Sequence, residues 1–503
     1  FESNILNICL DMLDRSLNYR NDPAADCSKR NSPMYVGRVI SAMINSNDDY
    51  GVLEGKWEKE FSDGVDPNSW TGSVEILLKW QKEAYQPVKY GQCWVFAAVM
   101  CTALRCLGIP TRVITNFNSA HNTDGNLCVD LHYDNDGKFM EISDDSIWNF
   151  HVWDESWFLR KDLGQFYGGW QVLDSTPQEQ SQNVYRCGPT SVNAVKEGDV
   201  HLPYDTPFVY SEVNADRVTW VCHKDGRKEQ AHSDTKAVGQ FISTKAVGSN
   251  ERVDITHCYK YPEERPPPLN TFPERPPPLN AFPERPSLDG PDIAGKFKLL
   301  GPLAVGDDIN LLLSLRNLTP YHRQVIVNLS ASCILYTGRR INDIFQDQKS
   351  LIINPSQEGH ISLQIPYSLY GNFLTDGNMI QMVAVCELPF RKKVVITKEL
   401  VLDNPPISIK VLSYPVVDEL CELQVSFKNP LSVPLTDGIL LLGGSGLIRK
   451  QIKRRVPKLG PKAEGSIVLE ITPYRFGTQQ LVVDFISKHF SAIKGFKRIE
   501  VAE

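Results

Sequence analysis

Cys93, His151 and Asp174 are the residues of this 503-residue chain whose types and order could carry covalent chemistry. Cys93 follows Tyr90-Gly91-Gln92 and opens a largely apolar run, Trp94 to Leu107, long enough for a buried helix. A thiol at a helix N-terminus faces unpaired backbone N–H groups and the positive end of the helix dipole, which favours the nucleophilic thiolate. The stretch is equally compatible with a cysteine that only packs in a core. A cysteine nucleophile needs a base, and the base needs an orienting group. His151 sits in Trp148-Asn149-Phe150-His151-Val152-Trp153, whose period-2 character predicts a strand. Asp174 lies in Gly168-Gly169-Trp170-Gln171-Val172-Leu173-Asp174-Ser175-Thr176-Pro177, a second predicted strand ending at a turn. Two neighbouring strands would set His151 beside Asp174, with Cys93 reaching in from the helix.

The order Cys, His, Asp resembles that of papain-like acyl-transfer enzymes. More specifically, Gly91–Ala97, Trp148–Trp153 and Gly168–Glu179 resemble the three active-site signatures of the calcium-dependent animal transglutaminases. The spacings of 58 residues from Cys93 to His151 and 23 from His151 to Asp174 are those this family uses. Ser41–Leu53, Ile114–Leu127, Ile242–Asn250 and the ending Val501-Ala502-Glu503 most resemble its epidermal (type 3) branch. The likeness runs from the first residue to the last. It implies a multidomain α+β chain, a papain-like cysteine-acyltransferase core followed by two all-β immunoglobulin-like barrel or sandwich domains.

What the resemblance implies for mechanism maps onto single residues. Cys93 would attack the γ-carboxamide of a protein-bound glutamine, releasing ammonia and leaving a thioester. A lysine ε-amine or small primary amine would then take the acyl group. His151 would exchange the protons and Asp174 would hold its ring. The family's oxyanion donors are the cysteine's own backbone N–H and a tryptophan indole, here Trp57. Trp57 and Trp148 would wall a tunnel that admits a lysine stem and disfavours water, leaving glutamine deamidation as a side reaction. Tyr336 resembles the family tyrosine that hydrogen-bonds the active-site sulfur in the closed state; on sequence alone it is an ordinary strand aromatic.

Oxygen-bearing side chains at alternate positions could converge on a hard cation: Asn45, Asn47 and Asp49, and again Asn122, Asp124 and Asn126. Neither segment is an EF-hand, and such loops also occur as plain solvated turns. The resemblance implies up to three Ca2+ sites. The first is Ala42 (by its carbonyl), Asn45, Asn47 and Asp49. The second is Asn122, Asp124, Asn126, Cys128 (by its carbonyl) and Asp145, which opens a channel toward the catalytic pocket. The third is Asn214, Thr235 and Glu263. Asn122 stands where the epidermal pattern has aspartate, which weakens attraction for a divalent ion. The third site lacks the family's second glutamate, with Glu264 as the neighbouring candidate, and is expected to be the weakest.

Residues 264–293 read as three ten-residue units, ERPPPLNTFP, ERPPPLNAFP and ERPSLDGPDI. Prolines at this density exclude helix and sheet pairing and favour a semi-rigid polyproline spacer. Beyond them the texture becomes short alternating strands. Phe297–Leu318 parallels Ile407–Pro430, so two similar modules of about 100 residues are expected. The expected organisation is a catalytic core at 1–262, a linker at 263–293 and β-domains at 294–403 and 404–503.

Net charge −7 argues against nucleic acid as a partner. No run of about 18 apolar residues suggests a transmembrane segment. Twelve scattered cysteines without CxxC pairs suit a reducing, cytoplasmic enzyme better than a secreted disulfide scaffold. Where some relatives carry a vicinal cysteine pair, this chain has Cys187 alone. The family places a β-sandwich before the point where this chain starts at Phe1, so a fragment, splice form or partial gene sequence is expected. Two other functions fit parts of the pattern. A papain-like cysteine protease shares the Cys/His/Asp logic, and a truncated, catalytically impaired scaffold would keep the residues without the activity.

Overall fold

A computed structural model describes residues 4–58, 60–262, 291–388, 393–490 and 492–503. It divides into two compact units. The first is residues 1–290 with Tyr336–Gly338, and the second is the remaining residues from Pro291 onward.

The first unit begins with helices. Helix Ile5–Arg15 buries Ile5, Ile8, Cys9, Met12 and Leu13, a spacing of three and four that puts one apolar stripe on the core. Helix Pro33–Ile44 starts with Ser32 accepting from the Tyr35 N–H and proline in its first turn, and it ends buried through Ile44. Both pack with helix Cys93–Cys106 in one apolar cluster that includes Phe96, Val99, Met100 and Leu104. That helix buries residues on nearly all sides, as expected of one enclosed by other elements.

A six-stranded antiparallel sheet supplies the other half of the core. Its order is Arg252–Asp254, Gln240–Lys245, Thr111–His121, Ser146–Phe158, Gly169–Asp174 and Cys187–Ser191. The central strand Ser146–Phe158 pairs Asn116 with His151 on one side and Leu173 with Asp154 on the other. A smaller three-stranded sheet holds Cys128–Asp134 parallel to Asp216–Cys222.

The second unit contains two copies of one plan, each a three-stranded and a four-stranded antiparallel sheet. In the first copy Ile309–Asn317 lies between Ile293–Leu299 and Glu358–Ile365. In the second Cys421–Lys428 lies between Ile407–Val411 and Glu464–Ile471. Both central strands alternate buried and outward residues along much of their length. A fully buried asparagine, Asn317, ends the first, and another, Asn429, follows the second. Asn317 Nδ2 donates to the carbonyls of Tyr321, Ile353 and Asn354, and Asn429 Nδ2 to those of Val433, Leu459 and Gly460. The repeat read in the sequence as Phe297–Leu318 and Ile407–Pro430 is therefore a repeat of hydrogen bonding as well as of strands. Glu263, Glu264 and the linker repeat up to Gly290 lie outside the described residues, while the last residue of the repeat, Ile293, opens strand Ile293–Leu299.

Candidate active site

Cys93 is the first residue of helix Cys93–Cys106 and is completely buried. Gln92, just before it, adopts extended backbone, and its side-chain amide donates to the Lys56 carbonyl, tying the helix start to the segment that carries Trp57. Helix Cys93–Cys106 packs against strand Ser146–Phe158, the strand of His151.

His151 and Asp174 are both buried, and His151 Nε2 lies 2.6 Å from Asp174 Oδ2. They sit on adjacent antiparallel strands, diagonal to each other across the ladder. Asp174 Oδ1 accepts from the Thr176 N–H at 2.8 Å, where the chain turns after the strand. A carboxylate at Nε2 selects the tautomer with the proton on that nitrogen, leaving Nδ1 as the acceptor. Nδ1 is buried with no hydrogen-bond partner, and the Cys93 thiol is among the groups acting on the ring. Burial opposes a charged imidazole, but Asp174, Cys93 and Glu212 outweigh it and hold the His151 imidazolium well above its ordinary range.

Trp57, Trp148, Phe150 and Tyr336 form one aromatic cluster that reaches the sulfur through Tyr336. Trp57 Nε1 donates to the Tyr336 hydroxyl at 2.8 Å, and that hydroxyl lies 3.5 Å from Cys93 Sγ. Trp57 and Trp148 have ring centroids 6.4 Å apart. Tyr336 stacks on Phe150 at 4.6 Å, and its carbonyl accepts from the Asn149 N–H. Burial, followed by Cys93, raises the Tyr336 phenol well above its usual value, so the hydroxyl stays protonated and can donate to the sulfur.

Comparisons with known proteins identify the family. The family model described as "Transglutaminase-like superfamily" matches residues 66–175. The one described as "Transglutaminase family, C-terminal ig like domain" matches residues 293–398 and 405–503. The human protein-glutamine gamma-glutamyltransferase E is 48% identical over 513 residues, spanning 100% of this chain and 74% of that protein. The human protein-glutamine gamma-glutamyltransferase 6 is 47% identical over 523 residues with the same shares. This chain belongs to the transglutaminase family. The solved red sea bream transglutaminase superimposes with a TM-score of 0.89 at 37% identity, covering 100% of this chain and 74% of that one.

A transglutaminase is expected to hold calcium, and two of the three segments suit it. In the second segment Asn122 Nδ2 donates to Asp124 Oδ1, Asn126 Oδ1 and the Cys128 carbonyl. Three ligand-type oxygens thus converge on one electropositive group, the arrangement a cation would take over. Asn122 Oδ1 accepts from the Leu127 N–H, which fixes the amide's orientation. Asp145 closes the loop by accepting from the Thr123 N–H and hydroxyl. Ligand oxygens of Asp124, Asp130 and Asp145 lie within 4.8 Å of one another. Asp130 is absent from the sequence-based set; its place on strand Cys128–Asp134 is the signal that spacing alone hides.

In the first segment Asp49 is buried with Oδ1 unpartnered, and burial pushes its carboxyl up to about 7. An orphaned carboxylate oxygen among turn residues fits a hard cation. Asn45 spends its Nδ2 on the Tyr185 carbonyl, and its Oδ1 accepts from the Asn47 N–H. Ala42 is in the last turn of helix Pro33–Ile44. The third set is not assembled to the same degree. Asn214 ends helix Thr206–Asn214, Thr235 is exposed, and Glu263 is outside the described residues. Nearby, Lys260 Nζ donates to the carbonyls of Val213 and Val238.

Two residues of the catalytic pocket escaped the sequence reading: Gln178 and Glu212. Gln178 Nε2 lies 3.0 Å from His151 Nε2, and Glu212 Oε1 lies 3.6 Å from it. A charged residue among Val209, Val213 and other buried positions of a short helix is the one signal that could have pointed to Glu212.

Proposed function

We propose that this chain is a calcium-activated protein-glutamine γ-glutamyltransferase working through a Cys93 thioester. The observation that carries this reading is Cys93 at a helix N-terminus beside a buried His151–Asp174 pair, with Trp57 linked to the sulfur through the Tyr336 hydroxyl. The Cys93 sulfur attacks the glutamine carboxamide carbon, giving a tetrahedral oxyanion. The Cys93 backbone N–H and the Trp57 indole are positioned to stabilise that charge once Trp57 is released from Tyr336. His151 gives its proton to the departing ammonia, and the C–N bond breaks to leave the thioester. A lysine ε-amine or small primary amine then loses a proton to His151 as its nitrogen attacks, and the thiolate leaves. The product is an isopeptide bond, or glutamate when water replaces the amine.

Calcium, held by Asn45, Asn47 and Asp49 and by Asn122, Asp124, Asn126 and Asp145, would supply positive charge that reorders these loops. In the conformation described, the Tyr336 hydroxyl occupies the sulfur and the indole together, as suits a resting enzyme. The partners are proteins presenting glutamine and lysine. A cytoplasmic setting is supported by twelve free thiols. Among the described residues, no helix is long and apolar enough to cross a membrane.

Incorporation of a dansylated amine into a glutamine-rich protein, with Cys93→Ala as the control, tests this reading. Calcium-dependent incorporation lost in Cys93→Ala is expected. Casein cleavage without incorporation would favour a protease instead, and neither activity from the folded chain would favour a scaffold.

A further inference from the structure

Around His151 the structure gathers more polar groups than proton transfer with Cys93 requires. His151 Nε2 faces three neighbours: Asp174 Oδ2 at 2.6 Å, Gln178 Nε2 at 3.0 Å and Glu212 Oε1 at 3.6 Å. Its one proton is spent on Asp174. The Gln178 amide nitrogen is a donor too, so it cannot bond to a protonated Nε2 and must send its two protons elsewhere. Two acceptors are in reach, Glu212 Oε1 at 3.1 Å and Asp174 Oδ2 at 3.3 Å. The carboxamide therefore bridges two carboxylates, one of which orients the base.

Glu212 is entirely buried on helix Thr206–Asn214. Its backbone is pinned as well, since the Glu212 carbonyl accepts from Asn116 Nδ2 at 2.9 Å, and Asn116 lies opposite His151 in the sheet. Glu212 Oε2 has no hydrogen-bond partner. A buried carboxylate with one oxygen unpartnered costs stability, and fold stability gives no reason to keep it. A role in holding the pocket's geometry does give one.

We propose that Glu212 and Gln178 are positioning residues for the catalytic pair, Glu212 anchoring the Gln178 carboxamide so that it holds Asp174 Oδ2 in line with His151 Nε2. This rests on the acyl-transfer reading of the site. Neither residue touches substrate. Both act through Asp174, whose Oδ1 is fixed by the Thr176 N–H and whose Oδ2 would otherwise be held by the imidazole alone.

The test compares Glu212→Leu, Gln178→Leu, the double variant and Glu212→Gln, all in the full chain. Steady-state amine incorporation is measured over a calcium series that reaches saturation, together with the alkylation rate of Cys93 by iodoacetamide and thermal melting. Each leucine variant is expected to lower kcat about tenfold or more with KM for the amine little changed, the size expected when a catalytic group is displaced by a fraction of an ångström. The double variant should lose no more than the worse single variant, because the two residues form one bridge. Glu212→Gln keeps an acceptor oxygen for Gln178 and should recover most of the loss. Glu212→Leu should melt no lower than the parent chain, which a merely structural carboxylate would not allow.

Unchanged kcat in the leucine variants would overturn the proposal, as would additive losses in the double variant. Recovery on raising calcium would overturn it too, since Asn214 shares the helix and the defect would then lie in metal binding. Should Glu212→Leu fail to fold, the partly exposed Gln178→Leu carries the same comparison. If the parent chain incorporates no amine, the acyl-transfer reading fails, and the alkylation rates still decide the positioning claim.

Discussion

At the scale of single residues, the closed pocket makes a specific statement about activation. One hydroxyl, that of Tyr336, accepts from the Trp57 indole and reaches the Cys93 sulfur. The proposed reaction uses both groups, so an equilibrium between closed and open pockets would be biased by these two contacts. Tyr336→Phe removes them while keeping the ring on Phe150. With the two contacts together worth about 1 kcal/mol net, the calcium needed for half-maximal amine incorporation should fall roughly three- to tenfold. An unchanged calcium curve would count against the latch. Cys93, His151 and Asp174 were legible in the sequence because Cys93 opens a helix, His151 lies within a strand and Asp174 ends one, and those elements follow from local pattern. Gln178 lay inside a quoted motif yet had no readable role. What it touches is set by Glu212, 34 residues further on.

At the scale of elements, the loop Asn122–Cys128 shows what one amide costs. Asn122 points its amide hydrogens at the oxygens of Asp124, Asn126 and Cys128, so a bound cation would first have to displace those hydrogens. Asn122→Asp replaces the donors with a formal negative charge. It should tighten calcium at this loop by about tenfold, a tuning expected from ligand charge count. Isothermal titration of the two chains checks this, and equal affinities would contradict it. In the second unit, strand Gly477–Ile486 buries Asp484, whose Oδ1 is unpartnered and whose other oxygen meets Lys494 at 3.4 Å. Burial raises its carboxyl to about 6 despite the lysine. The folded form therefore prefers the protonated acid. Its penalty is absent below the unfolded carboxyl's value near 4, grows as pH rises through 6, and is complete above that. Asp484→Asn should stabilise this unit by roughly 2–3 kcal/mol at pH 8 and by little at pH 4. Melting curves at the two pH values decide it; a gain at pH 4 alone would reverse the sign.

At the scale of the whole molecule, the proposed calcium ligands with described geometry all lie in the first unit, and the second is two copies of one β-plan. Binding stabilises only what binds, by about 2.7 kcal/mol per site at a hundredfold excess over Kd. Scanning calorimetry should therefore show calcium raising the melting of the first unit and leaving the transition of the second in place. A calcium shift in the second transition alone would refute the assignment of the sites.

The sequence by itself determined the proposed nucleophile, its proposed base and the carboxylate proposed to orient that base. It also determined the oxygen-rich loops and the internal β-repeat, because each is written as spacing within a few residues or a repeated pattern. Tertiary structure alone decided what crosses long separations in the chain. It brought Tyr336 onto Cys93 and Trp57, Asp130 into the loop of Asp124 and Asp145, and Glu212 to the far side of His151. The physical reason is that burial and hydrogen bonding are satisfied between elements, and no local pattern records which distant side chain will complete them.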